Sequence, residues 1–293
     1  MTGINPALID VVFPVHDGYP ANKAAGDTRD VMWDMCGAAS TAFPEHLWCE
    51  PREWKALADE NTANKTWPVN FVDRFTNQEP THECTCHCYR TCFEGTRNAQ
   101  RAIGLGPPVA GQRLPISAKS ASVWISCLSV YAEANPNEWG GAGVRQVLNI
   151  AVKRGALPDL IQPRDWGFKH ALAGTKGGGN INQSSTKKWI PLDEFPEGWK
   201  ETAKHFRPLE IIFPETWEQT VCLVLKGCRF VGVGRSGHSI PYGRWLPDEQ
   251  LMEYVDSYNI MRYDSISKIK ATVGGSYCIW SVTAPDDWEH PAG

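Results

Sequence analysis

Val144, Val147, Leu148, Ala151 and Val152 recur at helical spacing, and Gly155 follows as a stop, so the pattern predicts an amphipathic helix over about 143–155. A second helix is predicted from Cys84 to about Ala102, on which Cys84, Cys88 and Cys92 fall at i, i+4 and i+8 and share one face. Gly104 to Pro108 closes it. Pro51 to Glu60 places a proline near a helix start with good helix formers behind it, and Pro214 to Lys226 repeats that arrangement ahead of Gly227. Short apolar runs at Phe230–Gly234, His238–Tyr242, Leu251–Tyr258 and Tyr277–Thr283 predict strands. The state of residues 114–131 is left open by periodicity. The Gly- and Ser-rich tract 172–186 divides a helix-rich first half from a strand-rich second half, an α+β arrangement.

Residues 1–66 read differently. They carry scattered prolines together with Val11-Val12-Phe13, Trp33, Trp48 and Trp54, so an irregular but ordered extension is expected, either packed on the domain behind it or docked on a partner protein. The 13 Trp of the chain argue against disorder. Twenty-nine Lys and Arg against 33 Asp and Glu leave a net charge of −4, with no polybasic patch, so neither nucleic acid nor a membrane surface is an expected partner. Met1 to Pro6 lacks a charged and then apolar leader, and no run is long and apolar enough to span a bilayer, so a cytoplasmic location is expected. Ten Cys without an export signal are then expected to be mostly reduced thiols.

Candidate chemistry concentrates where the second helix begins. A thiol at a helix N-terminus faces the positive end of the backbone dipoles, which favours the thiolate, and Cys84 is placed there. Gln78, six residues earlier, carries an amide able to donate to an oxyanion beside that sulfur. Among eight histidines His238 is the best placed base, since it follows a predicted strand and Gly237 and opens another strand. A competing reading is a zinc site, because His82, Cys84, Cys86, His87, Cys88 and Cys92 are dense in soft ligands and Cys84, His87 and Cys88 share a helical face. No Cys-x-x-Cys pair completes a tetrahedron, so no metal and no cofactor are expected.

The stretch Asn77-Gln78 to Cys84, with Glu94-Gly95 ten residues beyond it, resembles the papain-like cysteine peptidases, in which the same offsets surround the nucleophile. Val72-Asp73-Arg74 is similar to the family's Val-Asp-Trp-Arg entry, Gly237-His238-Ser239-Ile240 to the strand that opens on the catalytic histidine, and Asp256-Ser257-Tyr258 to the Asn-Ser-Trp run that orients it. Gly140-Gly141 corresponds to glycines bordering the substrate cleft, where a missing Cβ admits a peptide backbone. The family's Cys-Gly-Ser-Cys-Trp run is absent: His82-Glu83 precedes Cys84 and Thr85 follows it.

The resemblance implies a papain-like two-lobed domain over 67–293, with an α-rich lobe at about 67–171 and a β-rich lobe at about 187–285 behind the 1–66 extension. It implies acyl transfer from a peptide or protein substrate to Cys84, with His238 moving the proton, Asp256 or alternatively Asn259 orienting it, and Gln78 holding the oxyanion. The departures favour a rival: a catalytically silent papain-like module serving as a structural component of an assembly such as a virus particle, with residues 1–66 as its docking arm. A cell-wall amidase is a third reading.

Overall fold

A computed structural model of the protein describes residues 40–72, 83–103, 125–134, 142–157, 195, 198–235 and 237–283. Gln78, Gly140, Gly141, His82, the tract 172–186 and residues 1–39 of the extension lie outside the described residues. The fold is α+β: helices α1 (Trp54–Asn64), α2 (Cys84–Ile103), α3 (Cys127–Ala134) and α4 (Val144–Lys153) precede most of the sheet, while α5 (Trp199–Ala203), α6 (Trp217–Leu225) and α7 (Ile266–Thr272) are interspersed with it. Strands β1 (Ser40–Thr41), β2 (Arg207–Ile212), β3 (Val231–Arg235), β4 (His238–Leu246), β5 (Leu251–Val255), β6 (Met261–Ser265) and β7 (Ser276–Thr283) form one sheet in the order β1-β2-β7-β3-β4-β5-β6. Only the β1–β2 pairing is parallel.

Strand β7 shows how the sheet is covered. Side chains alternate between faces along a strand, and Tyr277 and Ile279 join a core with α2, α3 and α4, whereas Cys278 and Trp280 join another with α1, α6 and α7. Both faces are therefore buried, and the run from Ser276 to Val282 contains no exposed position. The described part of the extension belongs to the second core, where Leu47, Cys49, Trp54 and Ala58 pack with Trp67, α6 and the sheet.

The helices begin and end for local reasons. In α4, Val144, Val147, Leu148, Ile150 and Ala151 are buried, and Gly155 follows at φ 88°. A Cβ at Gly155 would stand 1.8 Å from the Ala203 carbonyl oxygen, so both the backbone angle and the close approach require glycine. Helix α6 starts later than Pro214 suggests, because the Thr216 hydroxyl accepts from the Gln219 N–H and caps it. Strand β5 stops at Val255 rather than Tyr258: Asp256 Oδ1 accepts from the N–H groups of Tyr258 and Ile260, each at 3.0 Å, and Asn259 takes φ 60°. That turn returns the chain as β6, a polar edge strand that the apolar pattern does not announce.

Candidate active site

Helix α2 is the molecule's central element. Every described residue from Glu83 to Ala99 is buried, although the helix carries Arg90, Glu94, Arg97 and Asn98. Burying such groups is costly unless they are partnered. Here the partners come from the sheet and flanking segments: Thr96 Oγ1 donates to the Ile279 carbonyl at 2.6 Å, Asn98 Nδ2 to the Phe71 carbonyl at 2.6 Å, and Glu94 Oε1 accepts from the Ile125 N–H at 2.9 Å. At Gly95 the helix presses on the sheet-side core so closely that a Cβ would stand 2.6 Å from the Phe230 ring. The Glu94-Gly95 pair thus has two structural jobs, one holding α3's approach and one admitting Phe230.

Cys84 is the first residue of α2, directly after Glu83, whose carbonyl accepts the His87 N–H. Its side chain is 2 % exposed. The next residue ties the helix start to the second half of the chain: Thr85 Oγ1 donates to the Ala142 carbonyl at 2.7 Å and lies 3.0 Å from Ser239 Oγ. A hydroxyl has one proton, so with Thr85 donating to Ala142 the Ser239 hydroxyl donates to Thr85. Cys84 and His238 each stand one residue from this hydrogen-bonded pair.

His238 opens β4 opposite Arg235, after Gly237 at φ 73°, and is nearly buried. Its ring stacks on Tyr258, with centroids 5.9 Å apart and planes inclined by 19°. Asp256 is buried and accepts from Arg262 Nε at 2.5 Å through Oδ2, besides the two turn N–H groups on Oδ1. The carboxylate therefore builds the turn that presents Tyr258 to the histidine. Tyr258 is a residue the sequence reading did not single out. It occupies the third place of the Asp-Ser-Tyr run, where the resembled family has tryptophan, and that aromatic position was the available signal.

The other thiols of the helix differ in their surroundings. Burial pushes Cys86 well above the usual thiol range, helped by Cys127, Glu83 and Cys84. At Cys88 burial also raises, but hydrogen bonds from Cys92 and from the Tyr277 hydroxyl, 3.5 Å away, more than offset it and leave that thiol lowered. A small cavity with room for about one water molecule lies beside this helix, lined by His87, Cys88, Thr91, Ser239, Asp256 and Ser257 among others.

The zinc reading meets a different set of residues from the one the helical face suggested. Glu83, His87 and Cys127 each bring one ligand atom within 4.8 Å of the others. However, Arg90 Nη2 is 3.2 Å from His87 Nδ1. A guanidinium only donates, so Nδ1 accepts and the proton of the neutral ring sits on Nε2, the nitrogen that lies 3.8 Å from Glu83 Oε2. A protonated Nε2 has no lone pair for a metal, and the guanidinium adds a positive charge alongside. The group fits a chain of Arg90, His87 and Glu83 better than a cation site.

No family model matches the chain, and no curated protein does. Among solved structures it is similar to xylellain, a cysteine protease from Xylella fastidiosa, at 9 % identity and a TM-score of 0.47 over 72 % of this chain and 83 % of that one. Among the described residues no helix is long and apolar enough to cross a membrane.

Proposed function

We propose that the protein is a papain-like cysteine peptidase, or a related amide hydrolase or acyltransferase, with Cys84 as nucleophile and His238 as its base. The carrying observation is the Thr85–Ser239 hydrogen bond, which joins the residue after the thiol to the residue after the imidazole across the helix–sheet boundary. Cys84 gains from its position at the N-terminus of a twenty-residue helix, where the free N–H groups favour an anion. His238 would take the thiol proton as the sulfur attacks a carbonyl carbon and return it to the leaving amine. The oxyanion would rest on the Cys84 N–H and the Gln78 amide, and Gly140 and Gly141 would border the substrate. Asp256 acts on His238 through the turn and the Tyr258 ring. An extended peptide is the substrate class that fits, and residues 1–66 are the candidate docking arm.

A second reading, the catalytically silent assembly module, is favoured by the near-complete burial of Cys84 and by the commitment of Asp256 to Arg262 and the turn. Labelling with a peptide carrying a thiol-directed electrophile separates the two. The enzyme reading expects adduct at Cys84 in the wild type, none at that position in Cys84→Ala, and retained adduct in Cys86→Ala and Cys88→Ala. Absence of any Cys84 adduct in the folded wild type supports the silent module.

A further inference from the structure

Two thiols remote from the proposed chemistry stand at hydrogen-bonding distance. Cys49 lies in the extension between two single-turn helices, and Cys222 sits inside α6, and their sulfurs are 3.2 Å apart with Cys49 as donor. The Cys49 N–H also points to the Cys222 sulfur at 3.4 Å, and Lys226 Nζ, one turn along α6, donates to the Trp48 carbonyl at 3.0 Å. Cys222 thus receives two donors and has a cation nearby, while its own S–H is directed at the Cys49 carbonyl at 3.4 Å, an acceptor that keeps its place when the thiol ionises.

We propose that Cys49 and Cys222 form a peroxide-responsive thiol pair that closes into a disulfide and fastens the extension to α6. The roles follow from the donors: the hydrogen bond from Cys49 lowers the Cys222 thiol, and the same contact, with burial, raises Cys49. Cys222 as thiolate attacks one peroxide oxygen; an S–O bond forms, the O–O bond breaks, and the departing hydroxide is protonated to water. The Cys49 sulfur then attacks the Cys222 sulfenic acid; the S–S bond forms, the S–O bond breaks, and the Cys49 proton leaves with the hydroxide as a second water. Two thiols lose two electrons and two protons, and hydrogen peroxide is reduced to two waters.

Both sulfurs are buried, while Trp48 and Glu50, on either side of Cys49, are exposed, and a peroxide is little larger than water. The bond would join residues 173 apart in sequence, so it would restrict the unfolded chain strongly. Cys88 and Cys92 provide an internal control, since they share one helix and are fully buried.

The test is limited hydrogen peroxide treatment of the full chain, followed by alkylation and peptide mapping. Expected are a loss of 2 Da from a linked Cys49–Cys222 peptide and a melting temperature higher by about 5–10 °C. The linked peptide should vanish, and the rise in melting temperature with it, on adding a dithiol reductant. In Cys49→Ser, dimedone should trap sulfenic acid at Cys222, and in Cys222→Ser the trapping at Cys49 should be at least tenfold weaker. Retention of both thiols while Cys88 or Cys92 oxidises overturns the proposal, as does equal trapping in the two variants. The wild-type mapping stands alone if either variant fails to fold.

Discussion

The two faces of the sheet are both sealed by apolar cores, and the first also buries a long run of polar side chains on one helix. On the first face α2 brings charged and hydrogen-bonding side chains into the interior and meets several with a specific partner, as at Glu94 with Ile125 and Thr85 with Ser239. On the second, Trp54 packs edge-on against Trp217 and Trp245 at centroid separations of 5.4 and 5.5 Å, amid aliphatic side chains of α6 and the sheet. Hydrophobic burial is non-directional, whereas a buried hydrogen bond fixes both distance and angle. Apolar burial supplies bulk stability on both faces, and the buried hydrogen bonds of the first add position, which a site assembled from distant parts of the chain requires.

That contrast can be broken most severely at Trp245, which is 1 % exposed. Trp245→Ala should cost about 3–5 kcal/mol in urea unfolding while leaving the Thr85–Ser239 contact to report on the first face. A loss below about 1 kcal/mol would mean that the aromatic cluster is not the stabilising centre. A smaller effect comes from pH. Burial raises the Cys278 thiol from 9.0 to about 12, against the opposing influence of Arg229, so the unfolded chain releases that proton first. Stability from this group is complete below pH 9 and is lost as pH rises towards 12. By pH 11 the wild type should have lost about 2–3 kcal/mol more than Cys278→Ala, relative to pH 8, in denaturant titrations. Identical slopes for the two proteins would remove Cys278 as the source.

The first face is probed by the nearly isosteric Thr85→Val. It leaves the Ala142 carbonyl and the Ser239 hydroxyl without that partner and should cost about 1–2 kcal/mol. Electrophile labelling at Cys84 should slow more than this modest destabilisation explains; an unchanged rate would show that the contact holds structure alone. The smallest expected change is Cys84→Ala, within about 1 kcal/mol in stability, which would distinguish a side chain kept for reactivity from one kept for packing.

The elements were legible where periodicity or capping is local. The α4 stripe and its Gly155 stop, the run from Cys84 and the β7 strand all follow from spacing alone. Strand β6 and helix α7 were not, because Met261–Ser265 is a polar edge strand recognisable only through its pairing with β5, and Ile266–Thr272 spans barely two turns. At the site, the helix start singled out Cys84, the strand start His238, and the family resemblance Asp256. The sequence did not indicate that Thr85 and Ser239 would hold the two halves together, since contacts between residues 154 apart carry no local signature, nor that Asp256 would be engaged by Arg262, since that pair meets only across the β5–β6 turn. Likewise the dense cysteine run drew attention to α2, while a second sulfur pair in contact joins Cys49 to Cys222, two positions with no shared motif.

Strand β1 lies parallel along β2, pairing Ser40 with Ile211 and Thr41 with Ile212. A sheet rim occupied by the molecule's own chain cannot recruit a foreign strand at those positions. At the opposite rim β6 has no such cover among the described residues and begins at Met261, beside Ile260, both 48 % exposed. Among the described residues the sheet therefore ends unequally, in a strand of two residues at one rim, too short to template much pairing, and a strand of five at the other.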